Sequence, residues 1–556
     1  MDVIKQGRAD LAAWVATQPD NFYDAATCLK ALHAHGWTDA ELDRYAPTLR
    51  RFGAEVAGPL DAAARENNLN RNLPVLDPYD DVGQRCVPVV HHPSYHAAGR
   101  LIYGSGVMSA YGDDPAPHRY IMSLFYLSSH VGEAGHNCPL ACTAGAIRSL
   151  QALGTPAQRE RYLGPLLNPD WDSNFTGAQF LTEVQGGSDV GANGTRAVAQ
   201  PDGSYRIHGE KWFCSNIDAD VILLTARVEG GPPGTRGLGL FLVPARLPDG
   251  SINEGYRVRR LKDKLGTRSM ASAEVDFLGT WAEALGAPEV GFRNMMNIVI
   301  NTSRVYNAFS VAGSAHRAYQ VALGYARHRR AFGAPIADYP LVQETLARML
   351  ADAEACVAGS WLLAGLQERF DRAAAGQGEV SDDERAFFRV GINVNKLRTA
   401  MLAHETINAG IEVLGGNGAI ESFSVLPRLL RDNVVSENWE GTHNTLRLQT
   451  YKDCKRLGIH AGFFRYLEPI LGEARIAPTR AKLEAALDAP QGLATLMMRP
   501  IADELATLVH LAGLVPAAEA DEGVRLRAEL TAARHLDGGP AVDAAYLARI
   551  AACWST

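Results

Sequence analysis

The chain has 556 residues, 47% of them hydrophobic and 21% charged, which is typical of a globular protein with roughly two to four structural units. The formal net charge of −8 and the pI near 6.1 argue against nucleic acid or an anionic membrane surface as the main partner. The N-terminus lacks the basic and apolar segments of a secretory signal, and no uninterrupted apolar run approaches the roughly 18 residues of a membrane span. We therefore expect a cytoplasmic protein that does not cross a membrane.

The eight cysteines are scattered along the chain, and only Cys138 and Cys142 are close together. Their spacing suits one face of a helix better than a metal clip, so reduced thiols are expected rather than zinc ligands or disulfides. His91, His92 and His96 also suggest a metal site, but no acidic or cysteine partner stands beside them. The sequence therefore predicts no metal site.

The first predicted domain, residues 1–174, is helical. Apolar residues at steps of three and four predict helices at 25–34, 39–58, 120–130, 138–152 and 156–167. A Pro-rich irregular passage at 72–93 interrupts them, and Glu133 to Pro139 is interpreted as a turn between two helices.

The second predicted domain, residues 175–283, is a compact β-barrel. Short β-like runs at 204–208, 221–228, 238–243, 256–261 and 272–277 alternate with turn signals such as Pro-Asp-Gly. Strands at this spacing favour an antiparallel barrel of roughly 100 residues.

Two helical regions complete the chain. Residues 284–450 are predicted to form a bundle from helices at 292–329, 341–369, 384–414 and 426–431, with an exposed loop at 373–383. Residues 451–556 form a C-terminal helical extension with predicted breaks at Pro490, Pro500 and 537–540. The predicted fold class is therefore mainly α, with a central β-barrel domain and a C-terminal helical extension.

One candidate catalytic residue is Glu440, which lies between Trp439 and Gly441 at the entrance to a helical segment. A carboxylate in that position can abstract a proton, because the indole excludes water and raises the pKa of the acid. Gly441 lets backbone N–H groups approach a substrate closely. The alternative is a plain helix start, with Thr442 as the cap and Glu440 exposed.

A glycine-bearing loop follows an apolar strand at Leu181-Thr-Glu-Val-Gln-Gly-Gly-Ser-Asp189. Gly186 and Gly187 allow the backbone to approach a phosphate or a flat ring, and Ser188 can hydrogen-bond what arrives there. The alternative is a turn with no ligand. The pattern is not that of a dinucleotide fold, because no strand-then-helix unit surrounds it.

Phe213 and Ser215 stand two residues apart on a predicted strand, so they point the same way. An aromatic plane beside a hydroxyl suits stacking on a planar cofactor with one hydrogen bond to its edge. Packing of Phe213 in the core is the alternative.

Two further segments end long helices. Arg329 lies in a cationic helix end, which the helix dipole explains by itself, but a guanidinium can also bind a pyrophosphate. Gly415, Gly416 and Gly418 follow another helix. A C-cap explains one of these glycines, whereas three within four positions indicate that a bulky group packs against the bare backbone.

Together these segments resemble the acyl-CoA dehydrogenase family between about residues 72 and 447. The resemblance is carried by Thr-Glu-x-x-Gly-Gly-Ser-Asp at 182–189, Lys-Trp-Phe-x-Ser at 211–215, Leu-Lys-Asp-Lys-Leu-Gly-x-Arg-Ser at 261–269, Arg-x-x-Phe-Gly at 329–333, Val-Leu-Gly-Gly-x-Gly at 413–418 and Trp-Glu-Gly at 439–441. Glu133-Ala-Gly-x-x-Cys-Pro139 and His92-Pro-x-Tyr-His96 are similar to the AidB-like branch in particular.

The resemblance implies a non-covalent FAD. The positions that match cofactor contacts of the family are Leu181, Thr182, Ser188, Phe213, Ser215, Arg329, Phe332, Gly415, Gly416, Trp439, Thr442 and Asn444. Ser215 would hydrogen-bond near flavin N5, and Arg329, Phe332, Gly415 and Gly416 would meet the ADP part of FAD in a neighbouring subunit. A homotetramer or a homodimer is therefore expected.

The resemblance also implies the reaction. Glu440 falls on the catalytic base, and Ser188, Arg304 and Gly441 would contact the acyl-CoA. Removal of the α-proton and transfer of the β-hydride to flavin N5 would give a trans-2-enoyl-CoA, as in fatty acid metabolism. Electron-transfer flavoprotein or another acceptor would then reoxidise the flavin.

Two departures from the wider family point to other functions. Phe213 replaces its common tryptophan and Trp439 replaces its usual tyrosine, as in the AidB-like branch, for which a DNA-associated role in alkylation resistance is proposed. However, residues 451–556 contain twelve Lys and Arg against thirteen Asp and Glu. We therefore expect this extension to pack on the bundle or on another subunit, and DNA is an unlikely partner.

A third alternative is an acyl-CoA oxidase or a nitroalkane oxidase relative, in which reduced flavin reacts with oxygen. A glutamate at position 440 favours acyl-CoA chemistry, because the base of the nitroalkane enzymes is an aspartate.

Overall fold

A computed structural model of the chain describes residues 3–86 and 89–555. The α-helices within these ranges are α1 Val3–Ala16, α2 Thr27–Gly36, α3 Asp39–Glu55, α4 Asp61–Asn67, α5 Pro93–Gly104, α6 His118–Ser128, α7 Ala134–Leu153, α8 Pro156–Leu167, α9 Gly291–Asn294, α10 Asn301–His328, α11 Pro340–Ala374, α12 Asp382–Leu414, α13 Leu426–Asn438, α14 His443–Leu457, α15 His460–Leu471, α16 Glu473–Asp488, α17 Gln491–Ala520, α18 Glu522–His535 and α19 Ala544–Ser555. The strands are β1 Val75–Leu76, β2 Val89–Val90, β3 Gly177–Phe180, β4 Arg196–Ala199, β5 Tyr205–Ser215, β6 Val221–Val228, β7 Leu238–Pro244, β8 Tyr256–Leu261, β9 Ser272–Ala284, β10 Arg330–Ala331 and β11 Ala334–Pro335. The predicted fold class, mainly α with a central barrel and a C-terminal helical extension, is confirmed.

The chain forms two compact units. The barrel unit consists of Ala62–Pro117 and Glu133–Tyr306, and the helical unit consists of the residues up to Asp61, His118–Gly132 and the residues from Asn307 onward. The division into four consecutive domains at 174, 283 and 450 stays a prediction.

Local sequence sets several helix starts. Thr38, Thr155 and Ser381 each accept a hydrogen bond from the third residue of the helix that follows, and the Glu or Gln at that position bonds back to the cap. These capping boxes begin α3, α8 and α12, because they satisfy backbone N–H groups that have no partner inside the helix.

The barrel is closed by five strands. In the ring, β4 pairs with β5, β5 with β9, β9 with β7, β7 with β6, and β6 with β4. Its interior is filled by buried apolar side chains, which include Phe180, Ile207, Leu224, Phe241 and Phe277. β8 adds to β9 at the outside of the ring.

The prediction of an antiparallel barrel is wrong for two strands. β3 and β4 both run parallel to β6, β3 along Val221 to Leu224 and β4 at Arg227 and Val228. Turn signals in the sequence identify only hairpin neighbours, and neither strand reaches β6 through a hairpin. Because β3 and β4 pair with the same strand one after the other, residues 181–195 between them must leave the barrel as a loop.

One predicted helix break and one predicted turn were also wrong. Pro500 lies inside α17, where the buried side chains of Met498, Ile501 and Leu505 on either side of the proline keep the helix packed. α7 begins at Ala134 rather than after Pro139, because the Glu133 side chain accepts a hydrogen bond from the Gly135 N–H and caps the helix.

The C-terminal extension was predicted to pack on the bundle or on another subunit. In the structure it packs on the bundle. Arg527 of α18 is buried, and its Nε donates to Glu354 Oε2 of α11 at 2.5 Å. Arg534 binds both carboxylate oxygens of Asp352 at 2.8 and 3.0 Å. Arg527 and Arg534 of α18 are therefore directed into the bundle, whereas Arg525 is exposed and pairs with Glu522 and Glu529 of its own helix.

Two helices, Pro340–Ala374 and Gln491–Ala520, are long and apolar enough to span a membrane, and their most apolar windows are 89% and 72% buried inside the protein. Across the described ranges, no group of three or more His, Cys, Asp or Glu side chains is placed to hold a metal ion. All eight cysteines are free thiols, and six of them are buried.

Candidate functional site

The loop from Leu181 to Asp189 is fixed by a buried ion pair. Lys211 Nζ donates to Glu183 Oε1 at 3.0 Å and to the Leu181 carbonyl at 3.1 Å, and its side chain is fully buried. Glu183 also accepts hydrogen bonds from the N–H groups of Gly194 at 2.7 Å and Thr195 at 3.1 Å. These contacts join both ends of the excursion between β3 and β4.

The charges of this pair stabilise each other. Burial alone would raise the pKa of Glu183, but the Lys211 ammonium and the hydrogen bonds from Thr195 and Gly194 bring it down to about 2. Burial lowers the pKa of Lys211, and the Glu183 carboxylate opposes that change. Glu183 is therefore ionised at neutral pH and unavailable as a proton acceptor.

A bulge in β5 exposes Phe213. The pairing of β5 with β9 shifts between Lys211 and Cys214, so β5 has one extra residue at this point. Cys214 points into the barrel core, whereas the Phe213 ring is 55% exposed and Ser215 is half-buried. The predicted shared direction of Phe213 and Ser215 agrees with this burial pattern, and core packing of Phe213 is excluded.

Polar groups surround this exposed aromatic surface. Lys262 Nζ lies 4.8 Å from the centroid of the Phe213 ring. Ser215 Oγ lies 3.3 Å from Ser272 Oγ on the directly opposite residue of β9, and Lys264 Nζ donates to Ser272 Oγ at 2.8 Å. Either serine can donate in this contact, because the Ser272 oxygen keeps a second lone pair after it accepts from the Lys264 ammonium.

The remaining predicted residues of the barrel unit differ in exposure. Leu181 and Thr182 are half-buried, and the Thr182 carbonyl accepts a hydrogen bond from the Trp212 N–H at 2.9 Å. Ser188 is exposed at the outer part of the loop, whereas Arg304 is buried in α10.

In the helical unit, Arg329, Gly415 and Gly416 line one surface pocket of about 370 Å³. Gly415 caps α12 with φ 60° and ψ −141°, a conformation that favours glycine. A Cβ on Gly418 would meet the Ile411 carbonyl oxygen at 2.4 Å, whereas a Cβ on Gly416 would meet nothing within 4 Å. The C-cap and close packing explain Gly415 and Gly418, so Gly416 is the glycine that leaves room for a ligand.

Phe332 is at the tip of the hairpin formed by β10 and β11. Its φ is +51° and its side chain is 99% exposed. Phe332 therefore has no role in the core, and its contact with a cofactor stays a prediction.

Glu440 lies in a short turn between α13 and α14. Trp439 caps α13, and Thr442 begins α14, with its carbonyl accepting from the Leu446 N–H at 3.0 Å. Glu440 is half-buried with φ +58°, and Gly441 has φ +108°. Thr442 is the N-cap of α14, as the alternative of a plain helix start expected, but Glu440 is half-buried rather than exposed.

A buried lysine connects both sides of this turn. Lys396 of α12 has no exposed surface, and its Nζ donates to the carbonyl of Glu437 at 3.0 Å and to the carbonyl of Gly441 at 3.1 Å. Asn307 Nδ2 donates to the Ser436 carbonyl at 2.9 Å. Backbone carbonyls at the end of α13 thus receive side-chain partners in place of a further helical turn.

The neighbouring histidine is uncharged at neutral pH. Burial, followed by the cations Lys396 and Arg447, lowers the pKa of His443 to about 4. Its Nε2 lies 3.7 Å from Glu437 Oε2, too far for a hydrogen bond. Asn444 is exposed and accepts from Arg447 Nη1 at 3.2 Å.

Sequence reasoning missed Glu183, Lys211, Lys264, Ser272 and Lys396. The first four lie inside or just after the motifs that carry the family resemblance, so their positions in the sequence could have identified them. Lys396 lies within a long helical pattern, where no local feature distinguishes it from a surface lysine.

Three family models match consecutive parts of the chain. They are the adaptive response protein AidB N-terminal domain at 15–173, the acyl-CoA dehydrogenase middle domain at 178–279 and the acyl-CoA dehydrogenase C-terminal domain at 289–454.

Individual relatives agree with these matches. Acyl-CoA dehydrogenase family member 11 of Caenorhabditis elegans is 33% identical over 458 residues, which cover 80% of this chain and 72% of that protein. AidB of Escherichia coli K12 is 34% identical over 395 residues, which cover 69% of each. The crystal structure of Caenorhabditis elegans ACDH-11 in complex with C11-CoA superimposes with a TM-score of 0.80 at 28% identity, covering 94% of this chain and 92% of that one.

Proposed function

Because the chain belongs to the acyl-CoA dehydrogenase family, we propose that it oxidises an acyl-CoA thioester to the trans-2-enoyl-CoA, with Glu440 as the base. The protein is an oxidoreductase that also carries an AidB N-terminal domain. The observation that carries the assignment of the base is the Glu440 turn, which holds a half-buried carboxylate in a constrained backbone conformation.

The proposed base differs from the other carboxylate in the motifs. Glu183 is neutralised by Lys211 and has its oxygens engaged by backbone N–H groups. Trp439 and Glu440 are adjacent in the chain and both are half-buried, and we propose that the indole reduces the access of water to the carboxylate. Partial burial favours a carboxylate that accepts a proton, because it disfavours the charged form.

FAD is the cofactor of this family, and the described residues fit it. The exposed Phe213 ring offers a flat surface beside the Ser215 hydroxyl, and Gly416 offers bare backbone next to Arg329. When bound, FAD supplies the acceptor for the β-hydride.

The individual roles are those that the resemblance to the family implies for these positions. We assign Leu181, Thr182, Phe213 and Ser215 to the flavin ring, and the exposed set Arg329, Phe332, Gly415 and Gly416 to the ADP part in a neighbouring subunit. Trp439, Thr442 and Asn444 complete the cofactor contacts, and Ser188, Arg304 and Gly441 bind the acyl-CoA. A homotetramer or a homodimer is the proposed assembly, which light scattering of the purified protein can measure.

The substrate is proposed to be an acyl-CoA with an aliphatic chain, since a relative was crystallised with C11-CoA. An anaerobic titration with straight and branched acyl-CoA esters that include C11-CoA tests this, with flavin absorbance as the readout. Bleaching by at least one ester is expected, and no bleaching by any ester would contradict a dehydrogenase. Peroxide formed on admitting air would identify an oxidase; transfer to an electron-transfer flavoprotein would identify a dehydrogenase.

The Glu440→Gln variant tests the base. We expect it to retain yellow FAD and to bleach roughly 10²- to 10⁴-fold more slowly, because a positioned general base contributes about that factor. Glu421→Gln is the control, since it removes an exposed carboxylate of the helical unit that pairs with Arg431. Equal bleaching by Glu440→Gln and the wild type would remove Glu440 from its role.

A DNA-binding function has less support. The extension has one more acidic than basic residue, and two of its arginines, Arg527 and Arg534, are engaged by Glu354 and Asp352. Attraction to phosphates needs free cations. Tight and salt-sensitive duplex binding in a gel shift at low salt would reverse this conclusion.

A further inference from the structure

We propose that Lys396 is a positioning residue for the reaction, and that with Asn307 it holds the Glu440 turn in the conformation that presents the carboxylate. The inference rests on the proposed function, because it assigns a role to the turn that carries the base. The observation behind it is the buried ammonium of α12, which bonds to carbonyls on both sides of Glu440.

The turn needs an external constraint. Gly441 has a φ of +108°, which glycine adopts readily, whereas Glu440 has a φ of +58°, in the left-handed region that residues with a side chain rarely adopt. Such conformations persist only where the surrounding structure determines them. Without a constraint, the backbone at Glu440 would relax and the carboxylate would move with it.

Lys396 supplies that constraint from both directions. Its Nζ is 3.0 Å from the carbonyl oxygen of Glu437, three residues before the base, and 3.1 Å from that of Gly441, one residue after it. Asn307 holds the preceding carbonyl, that of Ser436, at 2.9 Å. The path from α13 into α14 is therefore fixed at 436, 437 and 441 by side chains from two other helices.

Lysine is suited to this position. An ammonium has three donors, so one group can bond to two carbonyls that point in different directions. Its positive charge also complements the negative end of the α13 dipole. A neutral side chain of the same length would fill the space but leave both carbonyls without this donor.

The competing explanation is that Lys396 only stabilises the fold. The experiment must therefore separate a loss of stability from a loss of proton removal. Asn395 is the matched control, because it is the preceding residue of α12, is equally buried and bonds away from the turn, to Ser360 Oγ at 3.0 Å and to His510 Nε2 at 3.1 Å. Lys396→Met and Asn395→Ala should both lower the melting temperature. Only Lys396→Met should impair proton removal.

The experiment measures proton removal without oxidation. Phenylacetyl-CoA has acidic α-protons but no β-hydrogen, so the flavin-loaded protein can deprotonate it and cannot oxidise it. Deuterium incorporation at its α-carbon in D2O, followed by mass spectrometry, reports the base alone. Lys396→Met should exchange about 100-fold more slowly, since a displacement of about 1 Å costs that factor, while FAD content and the Kd for phenylacetyl-CoA stay within twofold.

The possible outcomes are distinct. If Glu440→Gln exchanges at the wild-type rate, the proposed function fails. If Glu440→Gln is inactive but Lys396→Met exchanges as fast as Asn395→Ala, the proposed function stands and Lys396 is not a positioning residue.

A milder variant covers the case in which Lys396→Met does not fold. Asn307→Ala removes one carbonyl contact without removing a charge, and it should slow exchange by a factor of a few to about 10 at unchanged FAD content. Exchange at the wild-type rate in Asn307→Ala would overturn the proposal.

Discussion

In the barrel unit, Lys211 holds the loop that begins at Leu181; in the helical unit, Lys396 holds the turn that contains Glu440. Both side chains are buried and both bond to backbone carbonyls. Lys211 also neutralises the carboxylate of its own loop, Glu183, at 3.0 Å. Lys396 places its hydrogen bonds on the backbone around the acid.

The two buried lysines therefore stabilise their segments in different ways. A carboxylate that is paired and bonded to backbone N–H groups is a structural element, and its proton affinity is too low for base chemistry at neutral pH. A lysine that bonds to the backbone on both sides of a carboxylate fixes the position of that acid. We therefore expect changes at Lys211 to reduce stability, and changes at Lys396 to reduce the rate of proton removal.

The largest expected effect on stability is that of Lys211→Met. It leaves the Glu183 carboxylate buried without its cation, which should cost about 3 to 5 kcal/mol of unfolding free energy. Adding Glu183→Gln should recover most of that loss, because the amide oxygen can still accept from the Gly194 N–H. Urea unfolding of the single and double variants measures both values. A cost below about 1 kcal/mol for Lys211→Met would show that the pair does not brace the loop.

The acid stability of the barrel unit should depend on Glu183. Its pKa of about 2 is below the ordinary value of 4.5, so the group contributes stability that is fully present above pH 4.5 and is lost as pH falls through 2. The contribution is on the order of 3 kcal/mol.

Urea unfolding between pH 6 and pH 2 checks this. The difference in stability between the wild type and Glu183→Gln should narrow as pH falls below about 4.5. If the difference in unfolding free energy between the wild type and Glu183→Gln stays constant over that range, Glu183 has the same pKa in the folded and the unfolded protein.

The sequence predicts features that depend on neighbouring residues better than contacts between residues that are far apart in the chain. Motif spacing singles out Leu181, Phe213, Gly416 and Glu440 as candidate site residues, whose roles stay predictions. Periodicity predicted most helices and five strands of the barrel unit, β5 to β9. The pairing of Glu183 with Lys211 depends on the register of β5 and on its bulge, which local patterns do not encode. The contact of Lys396 with residues 437 and 441 depends on how α12 packs against α13, and the parallel placement of β3 and β4 depends on barrel closure.

The pocket at Gly416 offers a comparison, because its lining, as far as the structure describes it, includes no lysine. Gly416→Val should weaken FAD binding by roughly 10- to 100-fold, about 1.4 to 2.7 kcal/mol, because the side chain would enter the open space beside Arg329. Titration of the apoprotein with FAD measures the Kd. Gly492→Val is the control, since a Cβ there also meets nothing within 4 Å. Equal affinities for the two variants would mean that the cofactor does not approach Gly416.

The smallest expected effect is that of Asn193→Ala, which tests whether Lys211 alone can hold the Leu181 carbonyl. Asn193 is buried, and its Nδ2 donates to that carbonyl at 2.7 Å. Its loss should cost about 1 kcal/mol of stability and weaken FAD binding only a few-fold, because Lys211 Nζ still donates to the same oxygen. Asn253→Ala is the matched control, since Asn253 is equally buried and donates to the carbonyls of Pro244 and Trp281 elsewhere in the barrel. A loss of FAD affinity much larger than a few-fold would show that Asn193, rather than the lysine, sets the position of Leu181.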